Sequence, residues 1–288
     1  MAVKFFFHTF AAMFYFSMLM SVYKHEKAEN LTMCFDSIWK QTVRPTEIIL
    51  VEDGPLPLEL HQTIEKENGR FSNIKRVVLE KNQGLGIALN KGMEACSYDI
   101  IARMDTDDIC LPNRFEVQTT FLEEHPEIDV LSAWITEFEG TPENTIAIRN
   151  LPEKHDDIYL FGKRRNPINH PVVMFRKKAV MEAGGYQPFP LFEDYYLWAR
   201  MLKKGHRFYN LQQPLLLFRR SPEMVRRRGG LTYAHNEIAF QRKLHEIHYI
   251  TYFELCRNIC QRYGVRLAPN WIRSLIYKHL LRISVKEV

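Results

Sequence analysis

Cysteine is sparse in this chain and carries no signature of a metal or redox site. There are five cysteines among 288 residues, an odd number, and no two of them form a Cys-x-x-Cys pair. Cys256 and Cys260 are one helical turn apart, but no further pair of Cys or His residues nearby completes a zinc set. We therefore expect reduced structural thiols, as in a cytoplasmic protein.

Several sequence signatures of other protein classes are also missing. There is no P-loop, no internal repeat and no low-complexity tract, and the segment 82–86 does not match the Gly-x-Gly-x-x-Gly dinucleotide fingerprint. The net charge is only +5. No nucleic-acid-binding module or aromatic platform accompanies the positive charge, so we expect no nucleic acid as a partner.

A long uninterrupted hydrophobic run is absent as well. Residues 1–20 are almost wholly apolar, but His8 and Thr9 interrupt the run, which falls short of the ~20 residues that a membrane helix needs. Ser17-Met18-Leu19 is a poor site for signal-peptide cleavage. We expect residues 1–14 to form an apolar extension before a buried first strand; an uncleaved anchor that touches the membrane is the alternative.

Strand and helix patterns alternate through the first 110 residues. Apolar runs predict strands at 15–21, 47–51, 75–79 and 99–104, and amphipathic spacing predicts helices between them, the first capped by Asn30. This order predicts a mostly parallel, Rossmann-like α/β sheet with helices on its faces.

The remaining chain has a less regular pattern. It predicts a helix at 113–124, strands at 130–136, 170–175 and 215–218, helices at 179–183 and 191–204, and an irregular loop over 140–168. From residue 231 the pattern predicts helices, including a basic amphipathic helix at 271–283. We divide it into an α/β domain at 15–225, with halves at 15–110 and 111–225, and a basic helical extension at 226–288.

Three carboxylates follow the predicted strand at 99–104. Asp105, Asp107 and Asp108 lie where ligands bind in open α/β sheets, beyond the carboxyl ends of the strands. Carboxylate oxygens suit a hard divalent cation, whose open positions phosphates can fill. The alternative is that these residues only cap the following helix.

Five motifs occur in an order that is informative as a set. They are Ser21-Val22-Tyr23, Val51-Glu52-Asp53-Gly54, Asn82-Gln83-Gly84-Leu85-Gly86, Arg103-Met104-Asp105-Thr106-Asp107-Asp108 and Glu193-Asp194-Tyr195. Together they resemble the family 2 inverting glycosyltransferases with the GT-A fold, over roughly residues 15–220. The similarity is greatest to bacterial enzymes of O-antigen and exopolysaccharide assembly, including the amylovoran type.

The resemblance implies a nucleotide-sugar site. Asp53 would bind uracil, with Glu52 standing where relatives often have Asp. Asp107 and Asp105 would bind Mn²⁺ or Mg²⁺, with Asp108 behind them. The implied nucleotide-sugar-binding residues are Ser21, Tyr23, Glu26, Glu52, Asp53, Asn82, Gly84, Arg103, Asp105 and Thr106.

The resemblance also implies a catalytic base. Asp194, supported by Glu193, would take the proton of the acceptor hydroxyl. The alternative is a pair of acids that complement the dipole at a helix start. His170, Arg219 and Arg220 are candidates to contact the diphosphate or the acceptor, although a structural histidine is the more common outcome for His170.

The implied activity is transfer of a sugar from a UDP-sugar to a hydroxyl of an acceptor saccharide that is itself linked to polyprenyl diphosphate. This reaction would belong to the synthesis of bacterial surface polysaccharide. The enzyme would bind anionic lipid peripherally at the cytoplasmic face of the inner membrane through its basic C-terminal third. A processive polysaccharide synthase, a sugar-phosphate nucleotidyltransferase and a membrane-surface protein without catalysis are the alternatives. The sugar stays open among galactose, N-acetylgalactosamine, glucose and N-acetylglucosamine.

Overall fold

A computed structural model describes residues 14–221 and 230–267 of the chain. The first half contains β1 (Ser17–Val22), α1 (Ala28–Trp39), β2 (Glu47–Asp53), α2 (Leu58–Arg70), β3 (Ile74–Leu79), α3 (Leu85–Ala95), β4 (Ile100–Arg103), β5 (Ile109–Cys110) and α4 (Arg114–Glu124). The second half contains β6 (Val130–Phe138), β7 (Thr145–Arg149), α5 (His155–Gly162), β8 (Met174–Arg176), α6 (Lys177–Glu182), α7 (Glu193–Lys203), β9 (Phe208–Arg219), α8 (Gly230–Glu246) and α9 (Tyr252–Leu267).

The predicted parallel sheet forms the first half of the fold. The sheet order is β3-β2-β1-β4-β8-β6-β9-β5, with β7 paired to β6. β1 pairs in parallel with both β2 and β4, and β2 pairs in parallel with β3. β2 is buried along its whole length, as expected when helices cover both faces of a parallel sheet. The carboxyl ends of β1, β2 and β4 therefore lie at one edge.

The second half of the sheet is mixed. β8 runs antiparallel to both β4 and β6, whereas β9 runs parallel to β6 over a long, irregular register. β9 spans Phe208–Arg219, three times the length expected for it, because pairing with β6 extends it backwards. The last residue of β9, Arg219, lies beside the acidic residues that follow β4.

Three local predictions are wrong. The segment 140–168 is not an irregular loop, since it contains β7 and α5. Asn30 is not a cap, because α1 begins at Ala28 and the Asn30 side chain donates instead to Glu26. The strand expected at 170–175 is a 3₁₀ turn at His170–Val172 followed by a strand that begins at Met174.

The C-terminal helices α8 and α9 pack on the second half of the sheet domain. Phe240 of α8 is fully buried against Phe192, with ring centroids 4.7 Å apart and nearly parallel planes. Tyr249, between the two helices, donates to the Tyr159 carbonyl of α5. Most of the apolar extension at 1–14 and the whole amphipathic helix expected at 271–283 lie outside the described residues.

Candidate active site

The ends of β2 and β3 are joined through Asp53. Its carboxylate accepts hydrogen bonds from the backbone N–H groups of Gln83 (2.7 Å) and Gly84 (3.0 Å) and from Nδ2 of Asn82 (3.0 Å). Gly54 has a φ of 89°, and a Cβ there would lie 2.5 Å from the backbone nitrogen of Asn82. Asp53 therefore holds two of the motifs in contact, and a carboxylate can accept a further bond beside these three.

Glu52 has partners within the sheet. It is buried, accepts a 2.5 Å hydrogen bond from Nε of Arg76 on β3, and lies 3.7 Å from the His61 ring. Its carboxylate therefore links β2 to β3 and to α2. The extra methylene relative to aspartate gives the reach that this ion pair uses.

The loop after β1 contacts the acidic segment directly. Glu26 accepts a 2.7 Å hydrogen bond from the hydroxyl of Thr106, and its other oxygen accepts from the backbone of Lys27 at 2.8 Å. Ser21 offers its carbonyl to the same Thr106 hydroxyl at 3.5 Å. Tyr23 is 38% exposed at the surface. The structure thus brings together residues 80 or more positions apart.

Asp105, Asp107 and Asp108 form a cluster of carboxylates. One oxygen from each lies within 4.8 Å of the others. Burial first, and then the charge of Asp105, raises the pKa of Asp107 to about 7. Burial and the charge of Asp107 likewise raise the pKa of Asp108. Gathering these charges at partly buried positions is unfavourable unless protons or a cation compensate them.

The cluster fits a hard divalent cation. Asp108 accepts a 2.8 Å bond from the backbone N–H of Arg219 through one oxygen, while its other oxygen is buried without a hydrogen-bond partner. Oxygen ligands at this spacing suit Mg²⁺ or Mn²⁺. An uncompensated buried oxygen beside two further carboxylates is the arrangement that a cation would satisfy.

Arg103 interacts with the cluster and with a second pair of acids. Its guanidinium is buried and forms an ion pair with Asp105, with an Nη1–Oδ2 distance of 3.0 Å. Burial alone would lower the pKa of Arg103, but the charge of Asp105 raises it. The positive charge of Arg103 also acts to lower the pKa values of Glu193 and Asp194. The charge of the Arg103 guanidinium therefore acts on both groups of carboxylates.

Glu193 and Asp194 begin α7. Burial raises the pKa of both, and the charge of Asp194 adds to the effect on Glu193, whose pKa rises to about 7. Asn166 donates a 2.7 Å hydrogen bond to Asp194. One oxygen of Glu193 is buried without a hydrogen-bond partner among the described residues. Burial therefore shifts the pKa of both acids towards the range in which a carboxylate can act as a general base.

His170 and the two arginines are placed differently from one another. His170 is buried, its Nε2 lies 2.7 Å from the Tyr186 hydroxyl, and burial holds its pKa well below the usual range. It is therefore uncharged at neutral pH. Arg219 donates from Nε to the Asp107 carbonyl (2.9 Å) and lies over the Phe138 ring, and the backbone of Arg220 donates to the Phe138 carbonyl.

Two residues at the site carried no recognisable sequence signal. Asn166, which bonds to Asp194, lies in the segment expected to be a loop. Arg114, at the start of α4, donates a 2.7 Å bond to the Arg103 carbonyl from a fully buried position. Asn166 bonds to a residue 28 positions away and Arg114 to one 11 positions away, so no helix or strand periodicity reveals them.

Comparison with known proteins identifies the family. The model of "Glycosyl transferase family 2" matches residues 17–184, which include the sheet edge and the acidic cluster. This chain is a family 2 glycosyltransferase. The match ends before Glu193 and Asp194.

Relatives match over most of their length. One from Escherichia coli, named UDP-Gal:alpha-D-GlcNAc-diphosphoundecaprenol beta-1,3-galactosyltransferase, is 40% identical over 93% of this chain and 96% of its own. The amylovoran biosynthesis glycosyltransferase AmsE of Erwinia amylovora is 42% identical over 79% of this chain and 84% of its own. The first is named as a galactosyltransferase that acts on a diphosphoundecaprenol-linked sugar and the second as an enzyme of amylovoran biosynthesis, which agrees with the bacterial group that the five motifs resemble.

Solved structures agree on the fold. S. aureus TarS in complex with UDP has a TM-score of 0.62 and 16% identity, covering 95% of this chain and 76% of that chain. TarS in complex with UDP-GlcNAc has a TM-score of 0.61 and 17% identity, covering 79% and 65%. The glycosyltransferase therefore has the predicted α/β GT-A fold. In the part of the chain that the structure describes, no helix has the length and apolar character of a membrane span.

Proposed function

We propose that this glycosyltransferase moves a sugar from a UDP-sugar to a hydroxyl of a lipid-linked saccharide, with inversion at the anomeric carbon. The observation that supports the proposal most is the position of Arg103, which pairs with Asp105 and acts electrostatically on Glu193 and Asp194. A cation-binding cluster and a candidate base therefore belong to one site.

The donor would bind along the edge formed by β1, β2 and β4. Asp53 would receive the base through its remaining acceptor capacity, and the turn with Asn82 and Gly84 would support the nucleotide. Ser21, Tyr23, Glu26 and Thr106 line the neighbouring loop. The half-exposed Tyr23 ring is available for contact with a planar base.

Asp105, Asp107 and Asp108 would bind Mn²⁺ or Mg²⁺. When bound, such an ion supplies Lewis-acid neutralisation of the charge on the leaving diphosphate. Arg219 is held against the same cluster and adds positive charge beside it. Arg103, by neutralising Asp105, keeps the total charge of the cluster low enough for a diphosphate to approach.

Asp194 would act as the base. The acceptor oxygen attacks the anomeric carbon as the bond from that carbon to the phosphate oxygen breaks, and the acceptor proton passes to Asp194. Asn166 orients the carboxylate through its hydrogen bond. A single displacement inverts the centre, so an α-linked donor yields a β-linked product. Glu193 would support the charge and position of its neighbour.

Similarity to a named relative supports a choice of donor sugar. The Escherichia coli enzyme, at 40% identity over nearly its whole length, is named for transfer of galactose to GlcNAc-diphosphoundecaprenol. We therefore propose UDP-galactose as the donor and a diphospholipid-linked N-acetylglucosamine as the acceptor. Such an acceptor implies work at the cytoplasmic face of the bacterial inner membrane. The Gln-x-x-Arg-Trp motif of processive synthases is absent from the sequence.

The test is transfer of radiolabelled sugar by the full chain with Mn²⁺. UDP-Gal, UDP-GalNAc, UDP-Glc and UDP-GlcNAc are each offered with GlcNAc-diphospholipid, and cleavage of the product by a β-galactosidase reports the linkage. Asp194→Asn should lower transfer at least ~10²-fold, with UDP affinity unchanged. Glu94→Gln, at an exposed position on α3, is the matched control. Transfer by Asp194→Asn at the wild-type rate would place the base elsewhere.

A further inference from the structure

The loop between α6 and α7 leads directly into the candidate base. It spans residues 183–192, and Glu193 and Asp194 follow it as the first residues of α7. We call this segment the bridging loop. A shift of its backbone would move the start of α7, so the contacts that hold it bear on where the two carboxylates lie.

Asn90 of α3 holds the bridging loop near its middle. Its Oδ1 accepts a hydrogen bond from the backbone N–H of Tyr186 at 2.8 Å, and its Nδ2 donates to the Tyr186 carbonyl at 2.7 Å. One side-chain amide thus satisfies both backbone groups of a residue that lies 96 positions further along the chain. We call these two bonds the Asn90 clamp.

The bridging loop fits closely against α3. Gly185 has a φ of 61°, and a Cβ there would lie 2.8 Å from Oδ1 of Asn90. A Cβ on Gly86, in the first turn of α3, would lie 3.4 Å from that of Tyr186 and 3.6 Å from that of Glu193. The same helix therefore packs against both the loop and the first acid of α7.

α3 also begins at the proposed nucleotide-binding turn. The backbone N–H groups of Gln83 and Gly84, just before the helix, donate to Asp53. Asn90 lies five residues into α3, counted from Leu85, and five helical residues span roughly 8 Å. A short and regular helix segment therefore joins the residue proposed to bind uracil to the bridging loop.

The second half of the fold holds the same loop from its other sides. Arg200 of α7 donates to the carbonyls of Ala183 and Gly185. Leu191, near the end of the loop, has a φ of 70°, a conformation that persists only where the surroundings impose it, and its backbone N–H donates to the Glu193 carboxylate. The bridging loop is thus fixed by both halves, and Asn90 supplies a link from the first.

We infer that Asn90 is a positioning residue for sugar transfer, because its two bonds to Tyr186 fix Glu193 and Asp194 relative to the helix that starts at the nucleotide-binding turn. The inference rests on the proposed function, in which Asp194 takes the acceptor proton beside a donor that Asp53 helps to hold. A misplacement of about 1 Å between reacting groups can lower a rate about 10²-fold. Loss of the clamp should therefore slow transfer while the donor still binds.

Asn90→Ala removes both bonds of the clamp, and Asn73→Ala is its matched control. Asn73 also makes two bonds to backbone, from Nδ2 to the carbonyls of Pro45 (3.0 Å) and Thr46 (2.9 Å), before the amino ends of β2 and β3. Both variants should lower Tm, because each loses two hydrogen bonds. Asn90→Ala alone should lower kcat for transfer by about tenfold to about 10²-fold, with the donor KM unchanged.

Calorimetry with UDP and Mn²⁺ accompanies these kinetics. The Kd for UDP should be the same in Asn90→Ala as in the wild type, since Asp53 and the acidic cluster are untouched. A wild-type kcat in Asn90→Ala would make the clamp purely structural. A Kd for UDP that weakens in step with kcat would place the effect of Asn90 on the donor instead of the base. Either result overturns the inference.

A second pair of variants tests the clamp from the side of the loop. Gly185→Ala would push its Cβ against Oδ1 of Asn90, whereas Gly205→Ala, at a φ of 87° with open space around it, has a similar backbone cost without the collision. Gly185→Ala should reproduce the fall in kcat, and Gly205→Ala should not. This pair decides the question if Asn90→Ala fails to fold, and equal kcat values in the two glycine variants contradict the inference.

The burial of Glu193 gives a readout that needs no turnover. Burial and the charge of Asp194 raise the pKa of Glu193 to about 7, the charge of Arg103 acts to lower it, and the Tyr186 hydroxyl is the further titratable group beside it. Asn90→Ala changes none of these charges. A change in the titration of Glu193 would therefore report a change in its burial.

This titration is followed by NMR of the full chain with ¹³C-labelled glutamate carboxyls, and Glu193→Gln identifies the signal. In Asn90→Ala the midpoint should fall by about one pH unit or more, as water reaches the carboxyl, and in Asn73→Ala it should not move. An unmoved midpoint in Asn90→Ala would show that the loop stays in place and would reject the inference. Failure of the wild type to transfer from any of the four UDP-sugars would instead reject the proposed function.

Discussion

Metal binding by the acidic cluster should depend on pH. Burial and mutual repulsion raise the pKa of Asp107 to about 7 and raise that of Asp108 as well. A divalent cation binds the ionised carboxylates and must displace any protons they hold. Below neutral pH, binding of Mn²⁺ should therefore release protons and weaken.

The size of the effect follows from the pKa of Asp107. One pH unit below about 7, only about a tenth of that carboxyl is ionised. The apparent Kd for Mn²⁺ should rise about tenfold between about pH 7.5 and about pH 6, and steepen further if Asp108 also loses its proton on binding. Calorimetry in buffers of different ionisation enthalpy gives both the affinity and the number of protons released.

The same pKa values predict the stability of the metal-free protein. For a carboxyl whose pKa is raised by folding, the stabilising contribution is present below its ordinary value of 3.8 and is lost as pH rises through about 7. The Tm of the protein in EDTA should therefore fall over that window, and Mn²⁺ should raise it most at the upper end. Asp107→Asn should remove both effects, and Glu94→Gln should keep them.

Two results would refute this reasoning. An equal Kd for Mn²⁺ at about pH 6 and about pH 7.5 would mean that the cluster is ionised throughout, contrary to its burial. Binding by Asp107→Asn with wild-type affinity would mean that the ion lies elsewhere.

Three further predictions concern neighbouring parts of the site. Transfer activity should rise with pH through about 7, where Glu193 ionises, and Glu193→Gln, which stays uncharged, should remove this rise. Phe240→Ala removes a ring packed behind the start of α7 and should cost about 3–5 kcal/mol of stability; kcat should fall with little change in the donor KM, and Phe240→Leu should recover most of it. Gly54→Ala, at a φ of 89°, should destabilise the fold by more than ~1 kcal/mol and weaken UDP binding, whereas Gly69→Ala, with open space around it, should not.

Each of these has a contrary outcome. A pH profile of Glu193→Gln that matches the wild type would show that Glu193 does not control the rate. Loss of stability in Phe240→Ala with kcat unchanged would make that ring purely structural. Denaturant unfolding, steady-state kinetics and UDP calorimetry supply these measurements.

Much of the first half of the fold could be predicted from the sequence because its signals are local. The strand expected at 47–51 is observed as Glu47–Asp53, and the helix expected between this strand and the one at 75–79 is observed as Leu58–Arg70. An apolar run that ends in acidic residues marks both a buried strand and its exit from the sheet. The second half of the fold is less predictable from local patterns. β7 and β9 both pair with β6, and the β6–β9 pairing joins segments that are distant in sequence.

The sequence by itself determined the chemical groups of the site and their order along the chain. It showed that three carboxylates follow β4 and that another two begin a later helix, and together with the three other motifs, in their order, this predicted the family. Residue types and spacing carry that information because metal binding and proton transfer require particular side chains at strand and helix ends.

Only the tertiary structure decided how those groups act on one another. It paired Arg103 with Asp105 near Glu193 and Asp194, hydrogen-bonded Asn166 to Asp194, and enclosed His170 beside Tyr186 as an uncharged ring. A pKa depends on burial and on charges that approach through space. A local stretch of sequence determines neither the burial of a group nor the charges around it. Both arise only when distant segments of the chain pack together.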